Sequence, residues 1–113
     1  MSYTAFAKEY KEAGNRFAFG VQGGGLSLEL TDALIKEGVE FVTTGHESIA
    51  ALMAGALNRI YGTVPISLSI KGPRFANMAP GNLCSRYEGN ALLSISEAYP
   101  EDSHSPRVHK WMD

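Results

Sequence analysis

Short apolar runs and longer runs with helical spacing alternate along the chain. The short runs predict four strands, at residues 16–21, 40–43, 64–70 and 91–95. The longer runs predict helices at residues 3–13, 26–38, 49–61 and 75–87. Strands that alternate with helices of this length are joined by right-handed crossovers, so the pattern predicts an α/β fold. Its open parallel sheet is expected to carry helices on both faces, in three αβα layers.

The clearest helix is predicted at residues 49–61. Its apolar residues recur at i, i+3, i+4 and i+7 in one stripe, made of Ile49, Leu52, Met53, Ala56, Leu57 and Ile60. Gly62 is expected to end this helix, because glycine readily takes the left-handed conformation that follows a helix. The helix at residues 75–87 contains Pro80-Gly81, which should make it start late, kink or divide. Ser2 is predicted to cap the first helix.

The composition is that of a globular protein of one domain. Its 113 residues are 44% hydrophobic and 19% charged, with a net charge of −2. These values argue against disorder and against a basic nucleic-acid-binding surface. The amino terminus lacks the features of a signal peptide, and no apolar run is long enough to span a bilayer. We therefore expect one cytoplasmic domain over residues 1–113.

Two stretches at predicted strand ends carry candidate chemistry. The three glycines at residues 23–25 could hold a phosphate at a helix amino terminus, but they match neither the G-x-G-x-x-G nor the P-loop pattern. A tight turn that also lines a site is the favoured interpretation. Glu47 follows the second strand, at the edge where open parallel sheets bind ligands. From spacing alone, Thr44-x-x-Glu47 is more typical of a capping box, in which Glu47 bonds to the Thr44 amide.

The remaining candidates are scattered. His46-Glu47 is not a metalloprotease motif, because Ala50 replaces the second histidine, and the three histidines of the chain suggest no metal site. His104 and His109 lie in a polar tail, where they are either solvated or available for proton transfer. Lys71 and Arg74 could bind an anionic substrate or be solvated. The single cysteine, Cys84, excludes an internal disulfide and is expected to be a small buried residue.

Four motifs in order carry a resemblance to a known family. They read GVQGGG, FVTTGHESIAALMAGALNRIYG, VPISLSIKGPRFANMAPG and ALLSIS. This order resembles the pyrimidine-binding (PYR) domain of thiamine-diphosphate enzymes, in the group of acetolactate synthase, pyruvate oxidase and the 2-oxo acid decarboxylases. The resemblance covers residues 17–113 and implies the thiamine-diphosphate-binding fold with thiamine diphosphate as cofactor. It also implies a sheet that continues after residue 113.

The resemblance assigns roles to individual residues. Glu47 matches the glutamate that bonds N1′ of the aminopyrimidine, so it needs a closed, apolar environment in which it can hold a proton. Gly23, Gly24, Gly72, Pro73 and Asn77 match positions that line the cofactor. His109 matches a second catalytic position. Gln22, Lys71 and Arg74 would face the substrate, and Arg74 replaces the glycine that the family carries after the loop proline.

The resemblance leaves two main hypotheses. In the first, the chain is the PYR half of a 2-oxo acid decarboxylase or lyase. It is then active only with a PP domain that supplies the Gly-Asp-Gly motif and Mg²⁺ site, since this chain has no Gly-Asp-Gly. In the second, it is a non-catalytic module for dimerisation or ligand binding, with Glu47 as a helix cap. Homo-oligomerisation through the helix at residues 49–60 or the carboxyl-terminal sheet edge is expected. A flavodoxin-like nucleotide binder is a third hypothesis, supported only by the glycine turn.

Overall fold

The computed structural model describes residues 2–21, 26–70 and 72–97. The elements are α1 (Tyr3–Glu12), β1 (Phe17–Gly20), α2 (Leu26–Lys36), β2 (Glu40–Thr43), α3 (Glu47–Tyr61), β3 (Ile66–Ser69), α4 (Pro73–Tyr87) and β4 (Leu93–Ser96). They alternate as the hydrophobic pattern predicts. The observed strands β1 and β3 are shorter than the apolar runs that predicted them. No helix in these ranges is long and apolar enough to cross a membrane.

The four strands form one parallel sheet in the order β2-β1-β3-β4. Helices α1 and α2 pack on one face, where Tyr10 and Leu34 meet Ile66 and Leu68 of β3. Helices α3 and α4 pack on the other face, where Ala50 and Ala54 meet Phe19 of β1. The predicted α/β fold, with a parallel sheet between two helical layers, is confirmed.

The helix ends follow local rules in most places. The Ser2 hydroxyl accepts a hydrogen bond from the Ala5 amide, so the predicted cap of α1 is present. Gly62 ends α3 with φ of 77°, as expected for a left-handed residue. The predicted start of helix α4, near residue 75, is wrong. Pro80 lies inside the helix and neither delays its start nor divides it. The helix runs from Pro73, where a missing N–H costs nothing, through to Tyr87.

Helix α3 has two apolar faces. Its buried face is made of the small residues Ala50, Ala51, Ala54 and Gly55. Four large residues of the predicted stripe, Ile49, Leu52, Met53 and Ile60, are between 38% and 69% exposed, whereas Leu57 packs against the core beside Phe19. The stripe therefore predicted the helix correctly, but the contact with the core is made by the smaller residues between its members together with Leu57.

Helices α3 and α4 pack closely because small residues face each other. A Cβ atom on Gly81 of α4 would lie 2.4 Å from the carbonyl oxygen of Ser48 and 2.9 Å from the Cβ of Ala51. A Cβ atom on Gly55 of α3 would lie 2.5 Å from the Ser85 hydroxyl. The backbones could not approach this closely with larger residues at the two glycine positions. Cys84, on the outer side of α4, is exposed, so its predicted burial is wrong.

Candidate functional site at the carboxyl edge of the sheet

The strand order creates a crevice at one edge of the sheet. The chain passes from β1 to β2 on one side and then returns to place β3 on the other side of β1. The connections that leave β1 and β3 therefore diverge at their carboxyl ends. Open α/β sheets bind ligands at this kind of switch point. The connection from β2 to α3, which ends at Glu47, reaches the same edge.

The local fold around Glu47 differs from the predicted capping box. The Thr44 amide donates to the Gly20 carbonyl at 3.0 Å, so it is not available to Glu47. The Thr44 hydroxyl donates to the His46 carbonyl at 2.9 Å. His46 caps α3 instead, because its Nδ1 atom accepts from the Ser48 amide at 3.1 Å. The capping-box interpretation is wrong, and the Glu47 side chain is free of that role.

Glu47 is the first residue of α3 and is buried, with 5% of its surface exposed. Its Oε1 atom lies 3.7 Å from Nη1 of Arg74, the second residue of α4, whose side chain is 39% exposed. That separation is longer than a charge-assisted hydrogen bond. Within the described residues the Glu47 carboxylate has this ionic contact and no hydrogen bond. The described residues therefore leave the hydrogen-bonding positions of this carboxylate open.

The charges of Glu47 and Arg74 interact differently with the dipoles of the helices that carry them. A carboxylate at the amino terminus of α3 is stabilised by the helix dipole, whereas a guanidinium at the amino terminus of α4 is not. Glu47 offsets this unfavourable position of Arg74. The pair joins the β2–α3 and β3–α4 connections above the carboxyl end of β1. The structure thus brings two sequence-predicted site residues together.

The other predicted residues of the β3–α4 loop lie nearby. Gly72 is buried and precedes α4 with φ of 75°, a conformation that favours glycine. Pro73 begins the helix and is exposed. Asn77 is exposed on the next turn, and its backbone carbonyl accepts a hydrogen bond from the Ser48 hydroxyl. The remaining predicted site residues lie outside the described residues; they are Gln22, Gly23, Gly24, Lys71 and His109.

Sequence reasoning missed Ser48 and Ser69. The Ser48 hydroxyl links the first turn of α3 to α4 through Asn77 and Gly81. The available signal for Ser48 was proline followed by glycine inside a predicted helix. Proline removes a backbone N–H and glycine lacks a side chain, so a polar group of a neighbouring element can approach the helix backbone there. Ser69, at the carboxyl end of β3, is fully buried, and its hydroxyl has no hydrogen-bond partner among the described residues. No sequence signal distinguishes it from the other strand serines.

A cavity of about 280 Å³ lies at the opposite edge of the sheet, at the amino ends of β1 and β3. None of the sequence-predicted site residues lines it; its walls are formed by Gly14, Asn15, Arg16, Phe17, Leu57, Tyr61, Thr63 and Pro65. In the described part of the chain, no three His, Cys, Asp or Glu side chains lie close enough together to hold a metal ion. The carboxyl edge therefore remains the place where the candidate chemistry converges.

Comparison with known proteins gives a consistent match. The family described as "Thiamine pyrophosphate enzyme, N-terminal TPP binding domain" matches residues 3–113. The catabolic acetolactate synthase of Raoultella terrigena is 29% identical over 100 residues, which are 88% of this chain. The acetolactate synthase of Bacillus subtilis (strain 168) is 30% identical over 102 residues, or 90% of this chain. The matched segment is 18% of the length of each of these relatives.

Proposed function

Because the chain belongs to the thiamine pyrophosphate enzyme family, whose N-terminal TPP-binding domain it matches, we propose that it is the pyrimidine-binding half of a thiamine-diphosphate-dependent 2-oxo acid decarboxylase or lyase. It acts with a PP domain that supplies the diphosphate and Mg²⁺ sites. The observation that carries this proposal is the buried carboxylate of Glu47 at the switch point of the sheet.

The residues at this edge fit the cofactor's aminopyrimidine ring. Glu47 presents a buried carboxyl group without a hydrogen bond among the described residues, which suits a contact with a ring nitrogen. When bound, thiamine diphosphate supplies an electron sink for chemistry next to a carbonyl group. Glu47 would hold a proton at the ring nitrogen N1′. Gly72, Pro73 and Asn77 would flank the ring on the α4 side, and the family resemblance assigns Gly23 and Gly24 to the same cofactor site.

The charge beside Glu47 suggests the substrate class. Arg74 is partly exposed and lies on the same edge as the carboxylate. A guanidinium in this place can bind the carboxylate of a 2-oxo acid or a second anionic group on it. We assign Lys71 and Gln22 to the same substrate surface and His109 to proton transfer, as the family resemblance implies.

The proposal also requires a surface on this chain that binds the other domains of the enzyme. The matched segment is less than a fifth of the acetolactate synthases to which it is similar, so further domains belong to a whole enzyme of this kind. The exposed apolar stripe of α3 begins two residues after Glu47 and supports an interface beside the site. The same stripe supports assembly of two or more copies of the chain.

A second candidate function rests on the Glu47–Arg74 pair. Arg74 lies close enough to compete with a ring nitrogen for the carboxylate. In this alternative the chain is a PYR-fold module that binds or dimerises without catalysis, and the pair is a structural contact.

The deciding experiment replaces Glu47 by glutamine in the presence of a PP-domain partner. That partner is sought in the neighbouring reading frames, by its Gly-Asp-Gly motif and a later asparagine. We expect Glu47→Gln to fold normally by circular dichroism and to lower 2-oxo acid turnover by about 100-fold or more, since proton transfer contributes on that scale. Glu29→Gln, an exposed glutamate in the first turn of α2, is the matched control and should keep full turnover. Turnover retained by Glu47→Gln would contradict the proposed role.

A further inference from the structure

The hydroxyl of Ser48, a residue of α3, lies between two backbone groups of helix α4. It donates to the Asn77 carbonyl at 2.5 Å and accepts from the Gly81 amide at 3.2 Å. These two backbone groups are the i and i+4 partners that a helix ordinarily joins directly. A side chain from α3 thus bridges the hydrogen-bond ladder of α4.

The sequence of α4 makes room for this bridge. Pro80 has no N–H, and its ring crowds the carbonyl four residues earlier, so the helix ladder is weakened at this turn. Gly81 has no side chain, and a Cβ atom there would lie 2.9 Å from the Cα of Ser48. Proline and glycine together form a notch that receives the backbone and hydroxyl of Ser48.

The bridge lies next to the candidate site on both helices. Ser48 follows Glu47 directly on α3, and Asn77 lies one turn beyond Arg74 on α4. The Ser48–Asn77 hydrogen bond and the Glu47–Arg74 ion pair are therefore neighbouring links between the first turns of the two helices. Movement at Ser48 would change the separation of the charged pair.

We infer that Ser48 is a positioning residue, which fixes the first turn of α3 on the Pro80–Gly81 notch and so holds the Glu47 carboxylate at the crevice. The catalytic part of this inference rests on the proposed function. Without the hydroxyl, Asn77 and Gly81 can bond to each other, and the first turn of α3 loses its hydrogen-bonded link to α4. A displacement of about 1 Å at a reacting group can cost about 100-fold in rate, so Ser48→Ala should lower turnover by about 10- to 100-fold.

The test uses a signal that needs neither cofactor nor partner. In ¹⁵N-labelled protein the Arg74 side-chain N–H resonance is assigned by its loss in Arg74→Lys. Its wild-type position reports the contact with Glu47, and Glu47→Gln gives the position of the broken pair. We expect Ser48→Ala to move the resonance towards the Glu47→Gln position. Ser48→Thr, which keeps a hydroxyl, should remain closer to wild type than Ser48→Ala.

A matched control removes another hydroxyl that contacts α4. The Ser94 hydroxyl donates to Oδ1 of Asn82 at 2.9 Å, away from Glu47, so Ser94→Ala should leave the Arg74 resonance unchanged. If Ser48→Ala keeps the wild-type resonance, the inference is overturned, even where the variant is less stable. If the wild-type protein shows no turnover with any PP partner, the proposed function fails. The resonance still decides whether Ser48 positions Glu47.

Discussion

At the residue scale, Tyr10 ties the first helix to the centre of the sheet. Its hydroxyl donates to the Phe17 carbonyl at 2.5 Å, at the start of β1, and accepts from the Ile66 amide at 2.9 Å, at the start of β3. Both strands are interior to the sheet. Burial raises the pKa of Tyr10 from 10.0 to about 12, while the hydrogen bond with Ile66 acts in the opposite direction. Folding therefore favours the protonated phenol.

Tyr10→Phe should lower the free energy of unfolding by about 1–3 kcal/mol near neutral pH, because two backbone groups lose their partner. The pKa of the folded state lies above that of the unfolded state, so the contribution of the phenol is complete below pH 10. It is lost as the pH rises from 10 to about 12. Urea unfolding of both proteins at several pH values should show the difference narrowing over that range. A difference in unfolding free energy that stays constant over this pH range would contradict the raised pKa of Tyr10.

The position of Glu47 could be predicted from the sequence, whereas its surroundings could not. A strand followed by a helix places the residue at the carboxyl edge whatever the details of the turn. The competition between Thr44 and His46 for the helix cap depends on the bond from Thr44 to Gly20, which forms only once β2 lies beside β1. The contact with Arg74 likewise depends on strand order.

At the element scale, the packing of α3 on α4 depends on residues that are small at the crossing. Gly81→Ala should destabilise the protein by about 1–3 kcal/mol, because the added Cβ would overlap the Ser48 carbonyl. The direction of the change in unfolding free energy is informative, because the same replacement at an uncrowded helix position would stabilise the protein by about 1 kcal/mol. Gly45→Ala is the control, because a Cβ there meets nothing within 4 Å. An unchanged or higher urea midpoint for Gly81→Ala would show that the two helices are farther apart.

Hydrophobic periodicity predicted the eight elements found in the described residues, but it assigned the faces of α3 incompletely. A stripe of large apolar residues indicates a helix, and it does not state which neighbour covers the stripe. In α3 the core requires close backbone approach, so alanine and glycine face the sheet and α4. The sequence predicted that Pro80-Gly81 would make this helix start late, kink or divide. That prediction considers only neighbours along the chain, whereas the Gly81 amide donates to a serine hydroxyl that comes from another helix.

At the scale of the whole molecule, the order β2-β1-β3-β4 brings three connections of the chain to one edge. Composition and motif order were sufficient for the fold class, because a parallel sheet needs little more than alternation of elements. They could not show that Glu47 and Arg74 face each other across β1. They also could not show that the large residues Ile49, Leu52, Met53 and Ile60 of α3 are left exposed by the part of the chain that the structure describes.

That exposed stripe leads to the prediction for assembly. An apolar helix face is ordinarily covered, and the described residues cover the small-residue face of α3 while Ile49, Leu52, Met53 and Ile60 stay exposed. We therefore expect light scattering at micromolar concentration to give the mass of a dimer or larger oligomer. The double variant Leu52→Glu with Met53→Glu should give the monomer mass, because it places charges on that stripe. Ile35→Glu, a change at an exposed residue of α2 across the sheet, should keep the wild-type mass. A monomeric wild type would contradict self-association and leave the stripe to a different partner, the PP domain.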